Sequence, residues 1–221
     1  MREVPPSSDQ LALDTQIQAR HEEILGAAPR IAPRERSAVA EQVIADTNHL
    51  LCGITGSDQP PQLPLNSIPE IMFTLCRFPD LWRSIMDVTV QLQGPGSCLP
   101  PRDRKLAILR TGWLCQAPYE YGEHVNQARR MGFTTDEIER IRTGSEAPGW
   151  DRHERAILRA VEELHAGAMV SDATWTELAS TFDDRQTFEL LVLVGQFTAT
   201  AYFQNALKLR LEPGNPGLAT G

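Results

Sequence analysis

The residues best suited to chemistry lie in one short segment, Tyr119 to His124, and they are Glu120 and His124. Four positions separate them, so on an α-helix the carboxylate and the imidazole share one face, one turn apart. A carboxylate beside an imidazole orients the ring and stabilises its charged form, which makes a proton-transfer pair. A plainer interpretation stands beside this one. Ala117-Pro118 is typical of a helix start, and the helix dipole alone favours an acid in the first turn.

Three residues near this pair are candidates for binding a substrate: Arg110, Tyr121 and Trp113. Arg110 is the first candidate for a clamp on an anionic group, and Arg104 is the second. An ion pair between Arg110 and a carboxylate at the edge of the core is an equally good interpretation. Tyr121 and Tyr119 could donate to an oxyanion, although tyrosines beside a helix start more often pack. Trp113 is a candidate for the core or for the wall of a pocket.

Composition and charge restrict the class of protein. Of the 221 residues, 41% are hydrophobic and 23% charged, which is ordinary for a soluble globular protein. The formal net charge of -8 argues against a general affinity for nucleic acid or for anionic membrane surfaces. No apolar run approaches the roughly 20 residues that span a bilayer, and the N-terminus lacks the apolar core of a signal peptide. We therefore expect a cytoplasmic protein with no nucleic-acid or membrane partner.

The cysteines predict neither a metal site nor a disulfide framework. No CxxC occurs, and no cysteine stands at metal-ligand spacing from another cysteine or from a histidine. The sequence also lacks a Gly-rich phosphate loop, a GxSxG elbow and an HExxH pair. We expect reduced and mostly buried thiols, and we predict no metal and no organic cofactor.

Helix signals follow one another along most of the chain. Arg129-Arg130 and then Gly132 are typical of the end of the helix that carries Glu120. Capping boxes are predicted at Ser67 and at Thr134, and a long final helix is predicted from Asp183 to Leu211. No alternating β-branched run bounded by turns indicates a strand. The predicted fold class is all-α.

The chain is expected to divide into three parts. Residues 1–60 form an N-terminal extension, with an arm that is mobile or laid on a neighbouring subunit, and one helix within 33–51. A loop over 53–66 leads into the helical domain, residues 61–212. Residues 213–221 are rich in Pro and Gly and predict a flexible tail.

The ordered set of signals resembles the carboxymuconolactone decarboxylase family, within the alkylhydroperoxidase-like superfamily. The resemblance covers about residues 67–212 and rests on three segments and a second half that begins at Trp150. The segments are Leu99-Pro100-Pro101-Arg102-Asp103-Arg104-Lys105-Leu106-Ala107-Ile108-Leu109-Arg110, Tyr119-Glu120-Tyr121-Gly122-Glu123-His124 and Ala128-Arg129-Arg130-Met131-Gly132-Phe133. It implies an all-helical, alkylhydroperoxidase-like subunit that assembles into homotrimers or homohexamers, with active sites near subunit contacts.

The resemblance also implies an activity. In the lactone decarboxylases the histidine at the position of His124 handles protons, without a metal or an organic cofactor. We therefore expect a cofactor-independent lyase acting on a small carboxylated lactone or oxo-acid, with His124 as acid and base and Glu120 orienting it. A related isomerase, dehydratase or cyclase, and a non-catalytic oligomeric binding protein, are open alternatives.

Thiol peroxidase activity is disfavoured because Ala117 and Glu120 occupy the positions of the CxxC cysteines, and Cys115 lies off that motif. Lys105 stands where many members have an acid, which leaves the substrate open.

Overall fold

A computed structural model describes the backbone of residues 8–219 and the side chains of residues 12–219. This range contains ten α-helices and no strand, which confirms the predicted all-α class. None of these helices combines the length and the apolar character that crossing a membrane requires. The helices are α1 Ser8–Leu25, α2 Ala40–Thr55, α3 Glu70–Leu75, α4 Pro79–Gln93, α5 Pro101–Leu114, α6 Pro118–Arg130, α7 Thr135–Thr143, α8 Arg152–Gly167, α9 Asp172–Ala179 and α10 Asp184–Leu207.

Helix α5 lies at the centre of the fold. All of its residues from Lys105 to Trp113 are buried, because α6, α7, α8 and α10 pack around it. A helix covered on every side has no solvent-facing stripe on which a charged side chain can be placed. The cations of α5, Lys105 and Arg110, therefore need polar partners inside the protein.

A second core joins the N-terminal part of the chain to the rest. Helices α2, α3 and α4 share buried apolar side chains, and Phe203 and Leu207 of α10 pack against them. The helix predicted for the N-terminal extension thus packs within the fold, and no boundary of packing lies at residue 60. The buried residues of this core are Val39, Val43, Ile68, Met72, Phe73, Leu75, Cys76, Trp82 and Met86.

Both ends of the described chain lie on the fold, which corrects the expectation of a loose arm and a flexible tail. Ile17 of α1 is part of the main core, and Arg20 Nε donates to the carbonyl of Gln116 at 3.1 Å. Near the other end Leu218 is fully buried, and its N–H donates to His21 Nε2 at 3.0 Å. Residues 213–219 are therefore held against the protein. Residues 1–7 and 220–221 lie outside the described residues.

The predicted helix starts are partly confirmed. Thr134 forms the expected capping box with Glu137 at the start of α7. The capping box predicted at Ser67 is wrong, since the N–H of Glu70 donates instead to Glu212 Oε1 at 2.6 Å. The carboxylate that caps α3 thus comes from the C-terminal segment, which no local pattern could show.

Candidate active site

Helix α6 places Glu120 and His124 on one face, as their spacing predicted. Pro118 occupies the first turn, where its missing N–H costs no hydrogen bond, and Glu120 follows in the same turn. His124 Nε2 lies 3.0 Å from Glu120 Oε1, and both side chains are buried. The two residues form a contact inside the protein and not merely a pair on the helix surface.

A third group, Lys105, reaches the same histidine from α5. Its Nζ lies 2.6 Å from His124 Nδ1 and 2.8 Å from Gln127 Oε1, and the residue is only 4% exposed. The imidazole therefore lies between an amine on one side and a carboxylate on the other. This row of Lys105, His124 and Glu120 is called the relay below.

The two contacts of His124 determine which ring nitrogen carries the proton of the neutral ring. A carboxylate can only accept, so the nitrogen that faces Glu120, Nε2, carries the hydrogen. Nδ1 is then an acceptor, and it receives a hydrogen bond from the amine of Lys105. A proton given up at Nε2 can thus be replaced at Nδ1 from Lys105.

Burial lowers the proton affinity of both bases in the relay. It lowers the pKa of Lys105 from 10.5 to about 7, although the negative charge of Glu120 acts in the opposite direction. Burial and the positive charge of Lys105 lower the pKa of His124, against the effect of Glu120. Near neutral pH His124 is therefore uncharged, and Lys105 exchanges its proton readily.

A fourth side chain holds Glu120 from the opposite side. Gln204 of α10 donates through Nε2 to Glu120 Oε2 at 2.8 Å. Its Oε1 is buried and has no hydrogen-bond partner among the residues that the structure describes. Both oxygens of Glu120 are thus engaged, one by His124 and one by Gln204, which fixes the plane of the carboxylate.

Glu120 and His124 line a cavity of about 240 Å³ between α2, α3, α4, α6 and α10. This volume is somewhat below the roughly 300–1,000 Å³ of typical small-molecule sites, so the cavity suits a small ligand. On α6 the cavity is bordered by polar side chains, and the other helices contribute mainly apolar ones. The lining residues are Leu50, Leu51, Ile54, Pro69, Ile71, Met72, Trp82, Ile85, Met86, Thr89, Gln93, Tyr119, Glu120, Glu123, His124, Gln127, Phe197, Thr200, Phe203 and Gln204.

Comparison with protein families gives one match at this site. Residues 78–163 match the model of the family described as "Carboxymuconolactone decarboxylase family", and this segment includes Lys105, Glu120 and His124. This central segment of the chain is therefore similar to the carboxymuconolactone decarboxylase family. The resemblance inferred from the ordered motifs is confirmed, while α2, α3 and α10 lie outside the matched segment.

Solved structures support the alkylhydroperoxidase-like fold. An uncharacterised peroxidase-related protein from Ralstonia eutropha JMP134, an alkylhydroperoxidase AhpD core, is 16% identical with a TM-score of 0.68, and the match covers 87% of this chain and 97% of that one. A variant of the debrominase Bmp8, bound to 2,3,4-tribromopyrrole, is 13% identical with a TM-score of 0.68, covering 84% and 92%. A protein of unknown function from Agrobacterium tumefaciens is 20% identical with a TM-score of 0.58, covering 62% and 94%. A comparison with curated proteins gives no match.

Arg110 does not line this cavity, which corrects its prediction as a substrate clamp. Its Nη2 lies 2.8 Å from Glu162 Oε1, and its Nη1 donates to the carbonyls of Ile141 and Arg142. The side chain thus joins α5 to α8 and to the end of α7, which is the ion-pair alternative. Arg104, the second candidate, donates to two carbonyl groups near the end of α4, those of Leu92 and Gly94, at 3.3 Å each.

Trp113 and Tyr121 pack together in the core, away from the cavity. Their ring centroids are 5.5 Å apart, and the guanidinium of Arg142 lies 4.5 Å from the Trp113 ring centroid. The Tyr121 hydroxyl is buried without a hydrogen-bond partner among the described residues, and burial raises its pKa. The prediction that these two residues bind substrate is therefore corrected to packing.

Lys105 and Gln204 are the site residues that sequence reasoning missed. The helical pattern shows that a lysine lies among apolar residues, but it does not show which partner the lysine meets. Only a later turn of α6 brings His124 and Gln127 to its amine. Gln204 lies 80 residues beyond His124 in the chain, and no local pattern links the two. The buried charge of Lys105 in an otherwise covered helix is the signal that could have indicated the site.

Neither a thiol nor a metal-binding cluster is found at the cavity among the described residues. No cysteine is among the described residues that line the cavity. Burial raises the pKa of the Cys115 thiol, which disfavours the reactive thiolate. Over residues 12–219 no group of three or more histidine, cysteine and acidic side chains has the arrangement to hold a metal ion. The ionisable side chains among the described lining residues are those of Tyr119, Glu120, Glu123 and His124.

Proposed function

We propose that this protein is a cofactor-independent enzyme that transfers protons to and from carbon in a small substrate with an enolisable carbonyl group. The proposal rests on one observation, the relay of Lys105, His124 and Glu120 at the wall of a small and mainly apolar cavity. The partial family match and a debrominase of similar fold support an enzyme. The resulting reactions are isomerisation, dehydration or cyclisation, in which the same groups move protons.

The first step is removal of a proton from the carbon next to the carbonyl group. The Glu120 carboxylate takes this proton, and the C–H electron pair moves to the carbonyl oxygen to give an enolate. Once protonated, Glu120 no longer needs the Nε2–H of His124, which donates to the enolate oxygen instead. A donor held in place for the developing charge lowers the barrier without having to reorganise.

The second step uses Lys105 through His124. As Nε2 gives its proton to the enolate oxygen, Nδ1 accepts one from the Lys105 ammonium, so the ring stays neutral. Lys105 becomes a neutral amine and the substrate becomes an enol. Returning a proton from Glu120 to a different carbon completes an isomerisation, and reversing the relay restores the charges. Lys105 does not touch the substrate in this scheme and is a positioning and proton-supplying residue.

Exchange of substrate hydrogen in D2O tests the proposal. We expect wild-type protein to introduce deuterium into enolisable lactones and ketones such as α-angelica lactone, followed by mass spectrometry. His124→Gln should reduce the rate about 10²- to 10⁴-fold, the range for a general acid or base. The control is His165→Gln, because His165 is exposed and is not among the residues that line the cavity. Absence of exchange over a broad panel, or equal exchange by His124→Gln, would contradict the proposal.

A carboxy-lyase is the second candidate, and the family match favours it. In a carboxylated lactone or oxo-acid the bond to the carboxylate breaks, and its electron pair moves into the conjugated carbonyl. His124 then protonates the carbon that lost CO2. We expect CO2 release from 4-carboxymuconolactone by wild type and its loss in His124→Ala if this reaction occurs. The position of Arg110 weakens this candidate, since the predicted clamp for the carboxylate is absent from the cavity.

We also propose that the protein assembles into homotrimers or homohexamers. One exposed stripe of α10 carries apolar or small side chains at alternating spacings of four and three residues: Phe188, Val192, Gly195, Ala199 and Tyr202. Such a stripe on a helix surface suits packing against another helix.

A non-catalytic binding protein of the same fold remains the alternative if exchange and CO2 release are both absent.

A further inference from the structure

The largest group of polar side chains at the cavity forms one stripe of α6, and α4 and α10 add further polar groups. Glu120, Glu123, His124 and Gln127 are spaced by three, one and three residues, so they share one face of the helix. The part of the lining that comes from α2 and from the start of α3 is entirely apolar: Leu50, Leu51, Ile54, Pro69, Ile71 and Met72. A ligand in this cavity therefore meets hydrogen-bonding groups from α4, α6 and α10 and only hydrocarbon from α2 and α3.

The charges at the cavity are unfavourable for an anionic ligand. Neither arginine nor lysine is among the described lining residues, whereas Glu120 and Glu123 are. Lys105 lies behind His124 and donates to Gln127. A ligand carboxylate would have to leave water without gaining a cation, and it would lie near two groups that carry negative charge when ionised.

Two buried polar atoms of the lining residues have no hydrogen-bond partner in the described part of the chain. They are Trp82 Nε1, a donor, and Gln204 Oε1, an acceptor. Buried polar atoms are nearly always paired in folded proteins. A hydroxyl group both donates and accepts, so it is a ligand group that such atoms can bind.

We propose that the cavity selects an uncharged, largely apolar small molecule whose hydroxyl or carbonyl edge faces α6, and that the wall from Leu50 to Met72 determines this selectivity. This wall lies outside the family segment 78–163, so it can differ between members that share the relay. The inference names the substrate class of the proposed proton transfer and rests on it. It predicts a preference that a binding measurement detects without any turnover.

Isothermal titration calorimetry with two matched probes tests the selectivity. 4-Ethylphenol and 4-hydroxybenzoate share a phenol ring and differ in an ethyl group against a carboxylate. We expect wild-type protein to bind 4-ethylphenol at least about tenfold more tightly at pH 7, because the carboxylate finds no partner. Equal or tighter binding of 4-hydroxybenzoate would overturn the inference, and so would the binding of neither probe.

A matched pair of lysine substitutions on α2 tests the role of the wall. Leu51 lines the cavity and is half-buried, whereas Ile44 is 37% exposed and is not among the lining residues. Leu51→Lys should reduce the preference for 4-ethylphenol about tenfold or reverse it, and Ile44→Lys should leave it unchanged. The same shift in both variants, or in neither, would contradict the assignment of the wall. Because calorimetry needs no reaction, failure of the exchange assay with intact selectivity would count against the proposed function alone.

Discussion

Replacing Lys105 with methionine should change how the stability of this protein depends on pH. Burial lowers the pKa of Lys105 from 10.5 to about 7 in the folded protein. Between these values the unfolded chain keeps the proton that the folded chain has lost, so the free energy of unfolding rises with pH. Over pH 7 to 9 the linkage relation gives a gain of about 2 kcal/mol for wild type. The variant has no titrating group at this position and lacks that gain.

Urea unfolding followed by circular dichroism at pH 7, 8 and 9 measures the effect. Lys208→Met is the matched control, because Lys208 is the only other lysine in the sequence and lies at the end of α10. We expect the free energy of unfolding of wild type and of Lys208→Met to rise together relative to that of Lys105→Met. At pH 7 the Lys105→Met variant should also be the more stable protein, since it buries no ammonium. Parallel pH dependence in wild type and Lys105→Met would refute the lowered pKa.

Three further predictions concern the scaffold and the assembly. A Cβ on Gly122 would overlap Asn215 Oδ1 and lie 2.7 Å from the backbone nitrogen of Gly217. Gly122→Ala should therefore lower the free energy of unfolding in urea by about 1–3 kcal/mol and expose residues 213–219 to proteases. Unchanged stability and protease resistance would show that this segment does not pack on α6. Arg110→Met should cost about 3–5 kcal/mol, because it removes the cation that pairs with Glu162 and the donor to the carbonyls of Ile141 and Arg142. Exchange activity per folded molecule should be unchanged, and a specific loss of activity would restore the role of Arg110 at the substrate. Tyr202→Glu should convert the proposed oligomer to monomers in size-exclusion chromatography with light scattering, and an unchanged mass would exclude this α10 stripe as the contact.

The sequence predicted the fold class and the contact between Glu120 and His124, because both depend on local patterns. Helical spacing alone places Glu120 and His124 together, and a local capping box marks the start of α7 at Thr134. The failures concern contacts between distant segments. Whether Arg110 faces a substrate or Glu162 depends on the packing of α8 against α5, and periodicity reports only that the residue lies on a helix.

The C-terminal segment also makes contacts with distant parts of the chain that local sequence patterns do not predict. Residues 213–219 have the composition of a flexible tail, yet Asn215 donates to the carbonyl of Tyr119 and to Glu123 on α6. Leu218 is one of the buried residues of the main hydrophobic core. Composition describes how readily a segment folds by itself, whereas these contacts depend on a groove that other helices form.

The pH dependence of kcat/KM for deuterium exchange tests the relay most directly. The proposed reaction needs a protonated Lys105, so the wild-type rate should fall as the pH rises through about 7. Lys105→Met should exchange more slowly and show no such fall between pH 6 and 9, with Lys208→Met behaving as wild type. A falling limb near pH 7 that persists in Lys105→Met would contradict the relay as the source of the transferred proton.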